Sequence, residues 1–202
     1  MCSNNKQTLI CFIGASGSGK TTLLEQLNNE SDISIAISHT TRDMREGEVN
    51  GKDYHFITKS EFDSFNAYGI FVEVVLFNGN NYAIAESEII QSNTVGIVVE
   101  PNGVLHLQDW AKDNNVIFKT VHLSIPNEIR MQRMMNPKKG EPIRSKADII
   151  KRLDSDDIDE RWDSTVKANL VTEDLSLNED TQNDIEMIIE TLGLNIKTTV
   201  EG

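Results

Sequence analysis

The sequence predicts an α/β fold whose core is a parallel sheet flanked by helices. The first observation is a continuous apolar run from Thr8 to Ile13, which is typical of a strand buried on both faces of a parallel sheet. The second is the glycine-rich turn after it, which leads into a helix pattern from Lys20 to Asn28. The third is an alternation of strand and helix patterns in the second half of the chain. With 202 residues, we expect one compact unit with a full core.

The later elements follow this alternation. They are predicted as helices at 85–91, 104–112 and 127–134, strands at 95–99 and 116–123, a helix from Ala147, a short strand near Leu170 to Val171 and a helix from Gln182 to Leu192. Residues 136–146 are polar, contain glycine and proline and are rich in lysine and arginine. This composition predicts a lid between two helices.

The middle of the chain interrupts the alternation. A second strand pattern, Ile33 to Ser38, is followed by a polar stretch, and short β-like pieces at 54–56 and 70–77 enclose a short helix near Ser60 to Phe65. We therefore predict two parts, a core of residues 1–37 and 85–202 and an inserted mixed β/α region of residues 38–84.

Composition limits the classes of partner. The net charge is −13, with acidic residues concentrated from Asp148 onward, which argues against a nucleic-acid polymer because such binding normally needs a basic face. No stretch approaches the roughly 20 apolar residues of a bilayer span, and the N-terminus lacks a signal-peptide pattern. The two cysteines, Cys2 and Cys11, give neither a disulfide framework nor a metal spacing. We expect a cytoplasmic protein without a membrane partner; its oligomeric state stays open.

The glycine-rich turn has the spacing of a phosphate-binding loop, or P-loop. The predicted ATP-binding residues are Gly14, Ala15, Ser16, Gly17, Ser18, Gly19, Lys20, Thr21 and Thr22. Backbone N–H groups point at phosphate oxygens where glycines leave room, and the helix N-terminus adds its positive dipole end. Lys20 would reach the β- and γ-phosphates, and the Thr21 hydroxyl would ligate Mg²⁺ that accompanies ATP. The alternative, a turn that binds nothing, is disfavoured by the strand before it and the helix after it.

A second cluster suits a single phosphate group. Arg42 and Arg45 lie three residues apart in a polar stretch, and Tyr54 and Tyr82 offer hydroxyl donors. Arginine forks bind phosphate oxygens bidentately and keep their charge at every working pH. The alternative for the two arginines alone is a solvated loop pair.

The segment that carries this cluster, SHTTRDMREGEVNGKDYHF from Ser38 to Phe56, closely resembles the monophosphate-binding signature of guanylate kinases. The segments Gly79 to Tyr82 and Ile149 to Leu153 extend the resemblance. It implies an α/β P-loop kinase in which the insert binds the nucleoside monophosphate. It further implies phosphoryl transfer from ATP to GMP or dGMP, with Arg42 and Arg45 holding the acceptor phosphate.

The resemblance also implies how the base is selected. The family's base-contacting carboxylate corresponds to Glu73 and its first serine to Ser38. A carboxylate pairs with the two adjacent donors of guanine, N1–H and N2–H₂. The family's second serine falls on Ile84, which cannot hydrogen-bond O6, so a looser pocket or a modified base is conceivable. Glu100 stands where the family usually has aspartate, and it would serve Mg²⁺ through water or contact the base.

The resemblance also implies arginines in the lid, whose counterparts are assigned here from their flanking residues. Arg152 matches best by its flanking residues and is predicted to be catalytic with Lys20, Arg42 and Arg45; Arg133 comes next and is predicted to contact ATP. Two other functions stay open at this stage. One is a kinase for a different or modified deoxynucleotide, and the other is a non-catalytic protein-binding module of the guanylate-kinase type.

Overall fold

The computed structural model describes residues 6–77, 79–137, 144–157 and 181–197. Its strands are β1 (Thr8–Ile13), β2 (Ser34–Ile35), β3 (His39–Thr40), β4 (His55–Phe56), β5 (Phe71–Phe77), β6 (Asn80–Ala85), β7 (Thr94–Val98) and β8 (Ile117–His122). Its helices are α1 (Lys20–Glu30), α2 (Lys59–Ala67), α3 (Glu86–Ile89), α4 (Pro101–Asp113), α5 (Asn127–Met135), α6 (Lys146–Asp157) and α7 (Thr181–Leu192). The strands form two four-stranded sheets.

The first sheet is parallel and has the order β2-β7-β1-β8. Its strand β1 lies between two parallel neighbours and packs on both faces. Ile10 and Phe12 join one core cluster with leucines of α1 and isoleucines of α7, whereas Leu9, Cys11 and Ile13 join a second cluster with α4. The continuous apolar run therefore reflects burial on both faces, and the predicted α/β class with a helix-flanked parallel sheet is confirmed.

The second sheet is mixed and has the order β4-β3-β6-β5. Strand β6 is antiparallel to both β3 and β5, whereas β3 and β4 run parallel. Glu88 of α3 accepts a hydrogen bond from the Ile37 N–H (2.9 Å), in the segment that connects β2 of the first sheet to β3 of the second, and contacts His55 Nε2 of β4 (3.0 Å). The sheet thus stands directly beside the parallel core.

Several predicted elements differ from the observed ones. The strand predicted at 33–38 is only Ser34–Ile35, because Ile37 N–H turns to the Glu88 carboxylate rather than to a strand. The helix predicted at 85–91 is shorter, Glu86–Ile89, because residues up to Ala85 pair in β6. Strands β3 and β6 lie where no strand was predicted. The strand expected near 170–171 and residues 138–143 of the expected lid lie outside the described residues.

Within the described part of the chain, no helix combines the length and apolar character that crossing a membrane requires.

Candidate active site

The glycine-rich turn between β1 and α1 adopts a backbone that side chains would not allow. Gly17 has a φ of 77°, and a Cβ added there would lie 2.9 Å from the Arg130 carbonyl oxygen. Gly14 and Gly19 also have positive φ, and Gly19 caps α1 without a side-chain hydrogen bond to its N-terminal N–H groups. No acidic residue occupies the first turn of α1. The turn therefore presents free positive dipole character to an anion.

Lys20 lies inside this loop. Its Nζ donates hydrogen bonds to the carbonyl oxygens of Gly14 (2.6 Å) and Ala15 (3.1 Å). Burial lowers the pKa of Lys20, and the charge of Glu100 counteracts part of that effect. Thr21 follows on the first turn of α1 with an exposed side chain, and Thr22 is half-buried. The ammonium group and the hydroxyl therefore flank the place where the loop would hold a phosphate.

Helices α5 and α6 support the loop from its other side. Arg130 Nε donates to the Ser16 carbonyl oxygen (2.9 Å), and Asp156 Oδ2 accepts from the Ser16 N–H (2.7 Å). Arg133 Nη1 donates to the carbonyl oxygen of Ser18 (2.9 Å). Arg152 is half-buried on α6, and its positive charge contributes to lowering the pKa of Lys20. The predicted ATP residue Arg133 thus lies at the loop, and the predicted catalytic residue Arg152 lies one helical turn before Asp156, whose carboxylate binds the loop.

Arg42 is held beside two aromatic rings of the second sheet. Its guanidinium forms a bidentate pair with Glu48 (3.0 and 2.8 Å) and lies 5.4 Å from the ring centres of Tyr54 and Phe56. The Tyr54 and Tyr82 rings meet edge to face at 5.8 Å. This arrangement gives one rigid cation with phenolic donors next to it.

Hydrogen bonds of two threonine side chains hold the loop that carries Arg42 beside the second sheet. Thr40 Oγ1 donates to the Asn81 carbonyl oxygen (3.1 Å) and accepts from the Arg42 N–H (3.1 Å). Thr41 Oγ1 accepts from the Asn81 N–H (2.9 Å). The loop is therefore tied to β6, the strand that also bears Tyr82. Arg45 follows with an exposed side chain, and its N–H donates to Glu48 (2.7 Å).

Glu73 is a buried carboxylate on β5. Its side chain is 7% exposed and lies against the first turn of α4, where a Cβ on Gly103 would come within 2.6 Å of Glu73 Oε1. Burial raises the pKa of Glu73 to about 7, and the negative charge of Glu100 adds to the rise. At neutral pH this carboxyl group is therefore divided between its neutral and charged forms.

Glu100 follows β7, the neighbour of β1 in the first sheet, and the N–H of the adjoining Val99 donates to the Phe12 carbonyl oxygen of β1 (3.2 Å). It precedes α4 as the N-cap residue, and its charge acts on Lys20, on Glu73 and on Tyr54. Because Glu73 packs against Gly103 in the first turn of the same helix, the buried carboxylate of the second sheet lies near the end of β1 that leads into the P-loop.

Two further predicted residues sit close to these groups in the fold. Ser38 is half-buried just before β3, and its carbonyl oxygen accepts from the His55 N–H (2.9 Å). Ile84 pairs with Glu73 across β5 and β6 and is 1% exposed within the second core cluster. An apolar side chain at this position is thus well accommodated by the core.

Sequence reasoning missed three residues that shape the site. Glu48 pairs with Arg42, six residues earlier in the same charged loop. This short separation could have indicated the ion pair from the sequence. Asp156 and Gly103 carried no such signal, because their roles depend on contacts with residues far away in the sequence.

Comparisons with known proteins agree on one family. The family model described as guanylate kinase matches residues 6–189. A guanylate kinase of Schizosaccharomyces pombe is 32% identical over 152 residues, which are 72% of this chain and 71% of that protein. A guanylate kinase of Pseudomonas fluorescens is 42% identical over 86 residues, which are 42% of each protein.

A solved structure extends the likeness to the fold. The guanylate kinase of Anaplasma phagocytophilum superposes with a TM-score of 0.58 and covers 93% of this chain and 85% of its own, at 20% identity. At that identity the superposition shows the fold alone. The sequence match over residues 6–189 goes further: the chain belongs to the guanylate kinase family.

Proposed function

We propose that this protein is a nucleoside-monophosphate kinase that transfers the γ-phosphate of ATP to GMP or dGMP. The observation that carries the proposal is the packing of Glu73 against Gly103 in the first turn of α4, because α4 follows β7, the neighbour of the β1 strand that leads into the glycine-rich turn. A phosphate donor bound by the loop and a base bound by Glu73 would therefore occupy adjoining sites. The relatives named above are guanylate kinases, so they favour neither a different acceptor nor a non-catalytic module.

On the donor side, the P-loop backbone and the α1 N-terminus would cradle the β- and γ-phosphates of ATP. Lys20 would exchange its two carbonyl partners for phosphate oxygens of the bound nucleotide. Arg152 would add a second positive charge from α6. Arg133 would hold the loop in shape through Ser18 and contact ATP.

On the acceptor side, Arg42, Arg45, Tyr54 and Tyr82 would bind the phosphate of GMP. The Glu48 carboxylate already occupies the Arg42 fork as a bidentate anion, which is the geometry that a phosphate would use. Glu73 would pair with N1–H and N2–H₂ of guanine, and Ser38 would contact the same base. The insert of residues 38–84 would thus be the monophosphate-binding part, and residues 1–37 and 85–202 the core with its lid.

No general base is required, because the attacking phosphate oxygen of GMP is already ionised. The in-line transfer then depends on positioning and on stabilisation of charge spread over the moving phosphoryl group. Lys20, Arg42, Arg45 and Arg152 would supply that stabilisation from preorganised positions. Ile84 offers no donor to guanine O6, and an unpaired buried acceptor costs about 1–3 kcal/mol.

Nucleotide kinases of this family need a divalent cation, and the oxygen groups near the loop fit one. Thr21 presents an exposed hydroxyl on α1, and Glu100 presents an exposed carboxylate at the start of α4. Mg²⁺ prefers such oxygen ligands and takes few from the protein when phosphates are present. We therefore propose Mg²⁺ with Thr21 as its protein ligand; when bound, it neutralises phosphate charge. The cytoplasm remains the proposed compartment.

A coupled assay of ADP release tests the function directly. The purified chain is given Mg-ATP with GMP, dGMP, AMP, CMP or dTMP in turn. The proposal predicts rapid turnover with the two guanine nucleotides and slow turnover with the others. Equal rates with all five acceptors, or no transfer to any, would contradict it.

Replacing Gly103 with alanine is expected to weaken GMP binding about tenfold while sparing ATP binding. The new Cβ would approach Glu73 Oε1 to 2.6 Å, so the carboxylate must move away from its place. Alanine also favours a helix over glycine by about 1 kcal/mol, so α4 itself should not weaken. Steady-state KM values for GMP and ATP, with a thermal unfolding curve, check this. An unchanged KM for GMP would refute the positioning role.

The affinity for GMP should fall as the pH drops below about 7. Only the charged carboxylate of Glu73 accepts both guanine donors, and its pKa is raised to about 7. The phosphate group of GMP titrates near 6, so the profile of kcat/KM has two components. Measured from pH 5.5 to 8.5, the component near 7 should vanish in Glu73→Gln while the phosphate component stays. A component near 7 that persists in this variant would disprove the assignment.

A further inference from the structure

One residue of the P-loop, Ser16, is bound through both its main-chain N–H and its carbonyl oxygen. The Ser16 N–H donates to Asp156 Oδ2 (2.7 Å), and the Ser16 carbonyl oxygen accepts from Arg130 Nε (2.9 Å). Arg130 and Asp156 also bind each other, with Nη2 and Oδ2 separated by 2.8 Å. Arg130 Nη1 donates in addition to Asn127 Oδ1 (2.7 Å). Ser16, Arg130 and Asp156 therefore form a closed ring of hydrogen bonds that links the loop, α5 and α6.

This ring is buried. The side chains of Arg130 and Asp156 are 5% and 17% exposed. Removal of one partner of a buried ion pair strongly destabilises a protein, because the remaining buried charge loses its compensation. The contact is therefore a firm attachment of α6 to the loop rather than a loose surface pair.

Asp156 and Arg152 lie one helical turn apart on α6. Residues four apart share a helix face, and the charges of both act on Lys20. Whatever fixes Asp156 at Ser16 therefore also fixes the distance of Arg152 from Lys20.

We propose that Asp156, held by Arg130 and the Ser16 peptide, is a positioning residue that seats α6 and thereby places Arg152 over the transferring phosphate. The inference rests on the proposed function, in which Arg152 stabilises the transferred charge. Asp156 itself touches neither nucleotide; it acts through the loop and through Arg152.

The variant Asp156→Asn keeps the size of the side chain but removes its charge. Its kcat should fall between about tenfold and a hundredfold, because a small misplacement of a catalytic group has effects of that size. KM for GMP should change little, since the monophosphate groups lie on the second sheet. The matched control is Asp154→Asn, an exposed carboxylate on the same helix, which should behave like the wild type.

A double-mutant cycle separates positioning from plain stabilisation. If Asp156 acts through Arg152, then adding Asp156→Asn to Arg152→Ala should slow the enzyme no further. Multiplicative losses, or a kcat of Asp156→Asn equal to that of Asp154→Asn, would overturn the proposal. Should Asp156→Asn fail to fold, Arg130→Lys takes its place, because lysine lacks the fork that spans Ser16 and Asp156.

Amide hydrogen exchange measures how firmly α6 is held, and this measurement does not depend on turnover. If the wild-type chain transfers no phosphate to GMP, the proposed function fails while the seating of α6 can still be measured. Faster exchange across residues 146–157 in Asp156→Asn than in Asp154→Asn supports the inference. Equal exchange in the two variants contradicts it.

Discussion

Replacing Lys20 with alanine is expected to lower turnover by more than about a thousandfold. The ammonium group lies within the P-loop, and its two partners are carbonyl oxygens of the loop itself. Alanine removes the positive charge from the place where the β- and γ-phosphates would lie. The measurement is kcat with saturating GMP and Mg-ATP in the coupled assay.

The fold of Lys20→Ala should persist, because the loop is also fixed by its positive-φ glycines and by Arg130 and Arg133. A thermal unfolding midpoint close to that of the wild type verifies this. Lys112→Ala, at an exposed lysine on α4, is the matched control and should keep full activity. Undiminished turnover in Lys20→Ala would refute the role of the loop in phosphoryl transfer.

Replacing Glu73 with glutamine should raise KM for GMP by about a hundredfold or more. The glutamine amide brings a donor to a position where guanine itself presents two donors, and a mismatched polar group in a buried site is costly. KM for ATP should stay near its wild-type value. Glu25→Gln, at an exposed position on α1, is the control of the same chemical change.

The same substitution should stabilise the free protein at neutral and alkaline pH. The folded-state pKa of Glu73 is about 7 against an ordinary 4.5, so the folded protein binds more protons between these values. The contribution of this group to the free energy of unfolding is therefore highest below about pH 4.5 and is lost as the pH rises through 7. Glutamine has no charged form, so it removes the free-energy cost of burying the Glu73 charge, which is on the order of a few kcal/mol.

Thermal unfolding at pH 8 measures this gain. A midpoint for Glu73→Gln that lies above the wild type, together with a weakened KM for GMP, is the combined result expected of a strained binding group. A lower midpoint, or an unaltered KM for GMP, would show that the carboxylate is an ordinary structural residue.

The parallel core was predictable because its signals are local. The apolar run of β1 records burial on both faces, and the helix pattern of α1 follows directly from the glycine turn. Strands β3 and β6 were missed for the opposite reason. Each begins with polar residues, His39 in β3 and Asn80 in β6, so the pairing of strands distant in sequence, rather than local propensity, makes them strands.

The candidate site divides in the same way. Lys20 and Arg42 belong to continuous motifs, so their chemistry could be inferred from neighbouring residues. Asp156 binds Ser16 across 140 positions, and Gly103 meets Glu73 only because α4 packs on β5. Such contacts are set by tertiary packing, which a single sequence does not display.

A crystal structure with GMP and a non-hydrolysable ATP analogue tests the central claim most directly. We expect the Glu73 carboxylate within hydrogen-bond distance of guanine N1 and N2, and the Arg42 guanidinium bound to the monophosphate. We also expect the γ-phosphate mimic beside Lys20, in line with the acceptor oxygen. A guanine bound away from Glu73, or an acceptor phosphate out of line with the P-loop, would contradict it.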